Sequence, residues 1–464
     1  MRDGRSVLVV AYDFPPHAAI GTMRTLRLVR HLVREGWQVS VLTGDPRTYL
    51  PSTPVNEGLL ERVPDSVEVI RASAMRSARG TSSPRRESSE PKPVSAATPR
   101  RRRWPAAIVR AKAYVDAAMA IPDREAAWWL PAVRAGLRHC RTHRPDLIFS
   151  SAPPWTGQLV AAAIAARVKA PWVADFRDPW ARLPWRENRP WTTRTAAQWF
   201  EDRTVRQAAA VVFTTRGILD QVSAHHDPAL ASKYYVVPNG CEVDEFEAIR
   251  GCRPSGRPQD SDPFVLLHAG SLYGGRDPRP LLRAIAAAIR SGSVDPRTFR
   301  LRLLGTMALD GVNLSATCAE LGLRDVVQMV PRIPRRDSLV EMMAASALLL
   351  VQPGHPLSIP AKAYEYLATG RPILAIADAG ETANLIKNSG AGLVVSGEDE
   401  AQMALALGQL VQGTAPVRRA DPMWFDGERR AAEVAGVFEA VVAARMPGLG
   451  SSDAAGSVEV ARRA

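Results

Sequence analysis

Ser6-Val-Leu-Val-Val-Ala11, Tyr12-Asp-Phe-Pro-Pro-His-Ala-Ala-Ile-Gly21 and Trp37-Gln-Val-Ser-Val-Leu-Thr43 set the fold expectation. The first run is a short apolar strand, the second a Pro- and Gly-containing loop, and the third another strand. Between loop and second strand, Met23, Leu26, Leu28, Val29, Leu32 and Val33 mark the apolar face of a helix from about Thr22 to Arg34, closed by Gly36. A β-α-β unit of about forty residues predicts a parallel sheet. The loop is not GxGxxG, whose glycines would follow the strand at once. Gly21 at the helix start could still admit a phosphate to backbone N–H groups, with Arg24 one turn inside; a plain tight turn is the alternative.

The same alternation continues. Strands are expected at 65–70, 145–150, 171–175, 210–214 and 234–238, with helices at 126–139, 156–167 and 201–209. In an open α/β sheet, ligands bind at the C-terminal ends of strands. This places Ser151-Ala-Pro-Pro-Trp155 and Phe176-Arg-Asp-Pro-Trp180 where a site would form. Asp175, Arg177 and Asp178 are therefore candidate site residues, against a structural Arg–Asp salt bridge.

Residues 71–103 break the pattern, being rich in Ser, Pro, Ala and Arg and ending in Arg100-Arg-Arg-Arg103. They predict a flexible basic insertion. The helix expected at 104–119 would suit either an acidic membrane surface or its own domain. Residues 249–263 read as a linker. A second α/β pattern starts at Phe264-Val-Leu-Leu-His-Ala269 and continues through Gly270-Ser-Leu-Tyr-Gly-Gly-Arg-Asp-Pro278 into a helix at 279–290. Gly270 and Gly274 permit close backbone approach, and Arg276 can donate charge-assisted hydrogen bonds to a diphosphate.

Ser358-Ile-Pro-Ala-Lys-Ala-Tyr-Glu-Tyr-Leu-Ala-Thr-Gly370 gives a Pro-initiated helix with Lys362 and Glu365 three apart, on one face. A cation there suits a phosphate, and a carboxylate can accept two vicinal hydroxyls; a surface ion pair is the alternative. Glu381 and Thr382 open a further helix whose N-terminal amides could hold a sugar. Helices at 398–411 and 427–444 and a Gly/Ser/Ala-rich tail from 447 complete the chain.

At 464 residues and 46% hydrophobic, the chain can bury more than one core. Its formal net charge of +13 favours an anionic partner, but no nucleic-acid motif appears and no nucleic-acid partner is expected. Four scattered cysteines without paired spacing argue against a disulfide framework or structural zinc. With no signal-peptide core and no apolar run of membrane length, the expected location is the cytoplasm, including the inner face of the cell membrane.

These pieces, in this order, resemble a two-domain B-type glycosyltransferase of the bacterial family 4 group, over about residues 7–445. The pieces that carry the resemblance are Tyr12-Asp-Phe-Pro-Pro with Gly21 and Arg24, the 151–155 and 173–180 loops, Val237-Pro-Asn-Gly240, Gly270–Pro278 and Ser358–Ala375. The resemblance implies two Rossmann-like domains facing each other across a cleft: an acceptor-side domain at 1–248, a nucleotide-sugar domain at 264–418, and a helix at 419–446 crossing back. It implies transfer of a sugar from a nucleoside diphosphate to a hydroxyl acceptor with retention, the acceptor being a lipid-linked saccharide or a natural product. In the family two glutamates stand eight apart. Glu365 matches the downstream one, which binds ribose hydroxyls, and Leu357 occupies the upstream position. The family's phosphate clamp is an Arg and a Lys. Ser271 stands near the Arg position and Arg276 near the Lys position, so Arg276 with Lys362, from a Pro-x-Lys variant of the helix motif, form the candidate clamp. No metal is expected if these cations do that work. Asp175 matches a position often held by His, with Asp178 close behind. Nucleotide-sugar epimerases on the same scaffold and non-catalytic nucleotide-sugar-binding proteins share these features.

Overall fold

The computed structural model describes residues 5–49, 53–74, 121–182, 191–252, 263–309 and 311–445. Of the insertion expected at 71–103, residues 71 and 72 instead end a strand, Glu68–Ala72. Residues 75–103 lie outside the described residues, as do the helix expected at 104–119, the centre of the linker and the tail from 447. The chain divides into two compact units. One takes the described residues up to Val212, His225–Tyr235 and those from Ala435 onward; the other takes Phe213–Ala224 and Val236–Val434.

The first unit is built on a seven-stranded sheet. In chain order its elements are β1 (Ser6–Val10), α1 (Ile20–Arg34), β2 (Gln38–Gly44), β3 (Glu68–Ala72), α2 (Trp129–His139), β4 (Leu147–Ala152), α3 (Thr156–Val168), β5 (Trp172–Phe176), α4 (Trp191–Gln207), β6 (Ala210–Phe213) and β7 (Tyr234–Val236); α5 (Arg216–Ser223), between β6 and β7 in the chain, belongs to the second unit. The strand order is β3-β2-β1-β4-β5-β6-β7. β1 pairs in parallel with both β2 and β4. Every residue of β4 and β5 is buried, as expected for strands covered on both faces by helices. Chain order reverses at the β1/β4 boundary, the position at which open α/β sheets bring their ligand-binding loops together.

The second unit repeats the plan with a six-stranded sheet. After α6 (Val243–Glu247) come β8 (Phe264–Ala269), β9 (Leu272–Tyr273), α7 (Arg279–Arg290), β10 (Phe299–Leu304), β11 (Met307–Ala308), α8 (Leu314–Glu320), β12 (Val327–Val330), α9 (Arg335–Ala344), β13 (Ala347–Gln352), α10 (Ala361–Thr369), β14 (Ile373–Ala377), α11 (Glu381–Ser389), β15 (Gly392–Val395), α12 (Glu400–Val411) and α13 (Gly427–Arg445). The order β12-β10-β8-β13-β14-β15 places the reversal at β8/β13. The short strands β9 and β11 pair beside this sheet. Two apolar layers cover the six-stranded sheet. One contains Leu281, Ile285 and Met403 from α7 and α12; the other contains Tyr364, Tyr366 and Leu367 from α10 and Val340 from α9. In the first unit Phe438 of α13 packs its ring against Trp37 and Phe149, with centroids 6.0 and 5.2 Å apart.

The boundaries of β8 and α7 coincide with the sequence expectation. Helix α4 is a correction: it begins at Trp191, ten residues before the expected Glu201. Only Ala197, Glu201, Thr204 and Val205 are buried along it, so its first half lacks the apolar stripe that marks a helix in sequence. Among the described residues, no helix is long and apolar enough to cross a membrane.

Candidate functional site

In the second unit the β8/β13 reversal brings together Gly270, Arg276 and Lys362, three of the residues picked out by sequence. Gly270 follows β8 with φ +134°, and a Cβ there would coincide with the Lys362 ammonium. The missing side chain is what lets Lys362, in the first turn of α10, lie against the end of β8. Gly305, with φ +132°, packs against the Gly270 backbone from the β10 side. Tyr366 accepts a hydrogen bond from the Ala269 N–H at 2.9 Å, pinning the strand end to α10. Gly274 has φ +59° and open space around it.

Arg276 converges on the same place. Its Nε and Nη2 donate to Oε1 of Gln352, the last residue of β13, at 3.2 and 2.8 Å. Its guanidinium also lies over the Tyr273 ring, 4.5 Å from the centroid. Gln352 is neutral, so this bond orients Arg276 without cancelling its charge. Burial, then the nearby Arg276 charge, pull the Lys362 pKa down from 10.5 to about 8, with Glu365 opposing. His268 is buried below them. Its Nδ1 lies 2.9 Å from the Leu349 carbonyl oxygen, and burial together with Lys362 lowers its pKa to about 3. The imidazole is therefore neutral and adds no charge to the pair above it.

Glu365 sits one turn along α10, paired with Arg335 rather than with Lys362. Arg335 Nη1 donates to Glu365 Oε1 at 2.9 Å, and its Nη2 lies 2.7 Å from Glu245 Oε2. Burial would lower the Arg335 pKa, but Glu365 and Glu245 outweigh it and raise it. The surface ion pair considered for Lys362 and Glu365 thus gives way to an Arg335-centred bridge. The Glu365 side chain keeps 16% exposure.

Glu381 and Thr382, expected near a sugar, are engaged in holding the loop before α10. The Glu381 N–H donates to the Pro356 carbonyl at 2.8 Å, and Thr382 Oγ1 donates to the Ser358 carbonyl at 2.9 Å. The Glu381 carboxylate accepts from the Gly217 N–H, and burial raises its pKa. Leu357 contributes its carbonyl to Thr215 Oγ1 at 2.6 Å.

In the first unit Arg24, Ser151 and Asp175 meet at the β1/β4 reversal. Arg24 Nε and Nη2 donate to the two Asp175 carboxylate oxygens at 3.0 and 2.8 Å, and Ser151 Oγ donates to Oδ2 at 2.7 Å. Gln158 Nε2 donates to the Asp175 carbonyl at 2.9 Å. The Asp175 side chain, a candidate site residue by sequence, is fully buried. It holds Arg24 and Ser151. Arg24 in turn spends two of its donors on Asp175 instead of reaching out from the helix start. Gly21 is buried, and the Arg177 guanidinium packs where a Cβ on it would stand. Arg177 donates to the Pro153 carbonyl and lies 3.4 Å from Asp13. Asp178 is exposed in the loop after β5.

Sequence reasoning missed several residues here: His268, Gln352, Arg335, and an acidic and aromatic group around Tyr12. Tyr12 makes an edge contact with Trp128 at 5.3 Å and a tilted one with Tyr49 at 6.1 Å. Burial, then Asp123, raise the Glu125 pKa to about 7. The available signal was position alone: His268 and Gln352 lie at the ends of β8 and β13, Arg335 opens the helix after β12, and Tyr12 stands in the loop after β1.

With this geometry described, the comparisons with known proteins can be set beside it. Residues 21–240 match the family described as glycosyl transferase 4-like domain, and residues 263–413 match glycosyl transferases group 1. The chain carries two glycosyltransferase-family domains in a GT-B fold. The D-inositol 3-phosphate glycosyltransferase of Acidothermus cellulolyticus is 33% identical over 183 residues, 38% of this chain and 40% of that protein. The Nocardia farcinica protein of the same name is 31% identical over 193 residues, 40% of this chain and 41% of its own. The chain thus spans about two fifths of the length of these curated relatives. Among solved structures, Anabaena HepE in complex with UDP aligns over 94% of this chain and 100% of its own, with TM-score 0.56 and 15% identity. Sucrose-phosphate synthase from Thermosynechococcus elongatus aligns over 96% and 97%, with TM-score 0.55 and 16% identity. These likenesses speak to the fold.

Proposed function

We propose that this GT-B glycosyltransferase chain moves a sugar from a nucleoside-diphosphate donor to a hydroxyl acceptor with retention of configuration. The second unit would hold the donor and the first the acceptor. One observation carries the reading: two cations, Arg276 and Lys362, are held at one glycine-lined reversal point with burial and mutual repulsion already lowering the lysine's proton affinity. Such a pair is relieved by an anion. The diphosphate of a nucleotide sugar provides one, and its charge grows as the sugar–phosphate bond breaks.

In this mechanism Arg276 and Lys362 stabilise the departing diphosphate more than the intact donor, which lowers the barrier. Open backbone at Gly274 lets phosphate oxygens approach the chain. Glu365, steadied by Arg335, accepts ribose hydroxyls through its exposed edge. The departing phosphate oxygen takes the acceptor proton on the face the donor leaves, consistent with retention. Asp178 is the accessible carboxylate that could orient an acceptor, with Asp175 fixing Arg24 behind it. The bound UDP of HepE makes uridine the first base to test. The inositol phosphate relatives add a phosphorylated polyol to the acceptor panel, beside lipid-linked saccharides and natural-product alcohols.

The test is protection of the purified protein from thermal unfolding by UDP, GDP and their sugars, followed by product analysis with each acceptor. A nucleotide present at about 100 times its Kd adds about 2.7 kcal/mol of stability. We expect one nucleotide to protect, Arg276→Ala and Lys362→Ala to abolish that protection, and glycoside to appear only with acceptor. Protection unchanged in the double variant would reject the assignment. Product without acceptor would point to an epimerase instead.

The net charge of +13 and the exposed Trp191 and Trp199, 69% and 56% accessible on α4, also support work at an anionic membrane surface. There the acceptor would be a lipid-linked saccharide.

A further inference from the structure

Away from the residues assigned to the donor and acceptor, β3 and the end of α2 bring together three side chains with metal-ligand chemistry. Glu68 opens β3, the edge strand of the seven-stranded sheet. His139 ends α2, and His143 follows four residues on. The turn between the histidines keeps helical stacking, because the Thr142 and His143 N–H groups both donate to the His139 carbonyl, at 3.1 and 3.0 Å. The two imidazoles therefore lie parallel, with centroids 4.8 Å apart and planes within 10°. Glu68 Oε1 approaches His139 Nδ1 to 3.2 Å. One ligand atom from each of the three residues falls within 4.8 Å of the other two.

We infer that Glu68, His139 and His143 form a Zn²⁺ site that ties the edge strand β3 to the end of α2. Two imidazoles and one carboxylate make a nitrogen and oxygen set that suits a borderline divalent ion. Zinc bonds of about 2.0–2.2 Å in tetrahedral geometry place donor atoms roughly 3.4 Å apart. The Glu68–His139 pair already has that spacing, and rotation of the exposed His143 supplies the third donor. Thr142 Oγ1, 2.9 Å from His143 Nδ1, orients that ring, the kind of outer contact that metal-binding imidazoles use.

The two stacked imidazoles and the carboxylate present three donor atoms from two elements of the fold. Access is also provided: the His139 side chain is covered at 7% exposure, while Glu68 keeps 54%. Trp128, just ahead of α2, already donates to the Ala72 carbonyl at the far end of β3, at 3.0 Å. Zinc would fix the near end, joining positions 68 and 139 across a long stretch of chain, where a clip restricts the unfolded state most.

The experiment uses tag-free full-length chain, stripped with chelator and titrated with Zn²⁺ alone by calorimetry and thermal unfolding, with Mg²⁺ and Ca²⁺ in parallel. We expect one equivalent of Zn²⁺ to bind and the unfolding temperature to rise with zinc concentration, with no shift from the other two ions. His143 and Glu68 are both exposed, so His143→Ala and Glu68→Gln should fold normally. Each should weaken zinc binding by about tenfold or more. Absence of one-equivalent binding in the parent chain overturns the site. So does zinc affinity that stays unchanged in both variants.

Discussion

Lys362 shows how a single residue can work against stability for the sake of a ligand. Its pKa stands at about 8, against 10.5 for an ordinary lysine, chiefly through burial and then through Arg276. Between these two values the unfolded chain binds more protons than the folded one, so the Lys362 contribution to stability improves as pH rises from about 8 to 10.5. Below pH 8 both states are protonated and the full cost of the buried charge is present. A bound diphosphate favours the ammonium, so donor affinity should fall as pH rises through 8, with proton uptake on binding. Calorimetry in buffers of different ionisation enthalpy measures that uptake, and Lys362→Met should remove it. The same variant should be more stable than the parent at neutral pH, by about 1 kcal/mol. Asp175 has the opposite character. Its carboxylate is fully buried and satisfied by Arg24 and Ser151, so Asp175→Ala leaves a buried guanidinium without its partner. A loss of about 3–5 kcal/mol in urea denaturation is expected; a loss under about 1 kcal/mol would mean that Arg24 finds water instead.

At the scale of elements, the junction of β8 with α10 depends on a glycine whose backbone only glycine adopts comfortably. Gly270→Ala adds a Cβ at φ +134°, on the position of the Lys362 ammonium. It should cost about 1–3 kcal/mol and displace Lys362, so nucleotide protection should vanish along with the stability. Gly274→Ala, with φ +59° but open space, should cost less, about 1 kcal/mol, and keep some protection. A Gly270→Ala variant that binds nucleotide like the parent would mean that Lys362 is not held at this junction. The strand β8 was legible in sequence because Phe264-Val-Leu-Leu-His-Ala269 is a nearly continuous apolar run followed by a glycine-bearing loop. So were Gly270, Arg276 and Lys362, because strand-end loops in such sheets meet at the reversal of strand order. What sequence could not give is the pairing of side chains. Arg335 reaches Glu365 across thirty residues and Arg24 reaches Asp175 across 151, separations at which spacing carries no information. Helix α4 was shortened in the sequence reading for a related reason: with Trp191 and Trp199 facing outward, its apolar residues do not form a buried stripe.

For the whole molecule, charge and exposed aromatic surface can be read together. The +13 charge includes segments outside the described residues, Arg100–Arg103 among them. Within the described residues, α4 presents Trp191, Arg194, Trp199, Arg203 and Arg206 on its exposed side, with the Arg203 guanidinium 5.5 Å from the Trp199 ring centroid. Asp202, the acid adjacent to Arg203, is engaged by Arg182 at 2.9 Å. Tryptophan favours the boundary between headgroups and acyl chains, and each nearby arginine is worth about 1 kcal/mol at an anionic surface. Co-sedimentation with vesicles containing phosphatidylglycerol should therefore retain the protein at low salt and lose most of it near 1 M salt, where screening reaches about 3 Å. Neutral vesicles should retain little at any salt. Replacing Trp191 and Trp199 by Ala should lower retention on anionic vesicles while leaving nucleotide protection unchanged, since both residues belong to the first unit and the cations proposed for the donor to the second. Equal retention by the parent and the double variant would remove α4 from the membrane-facing surface and leave charge alone to account for any binding.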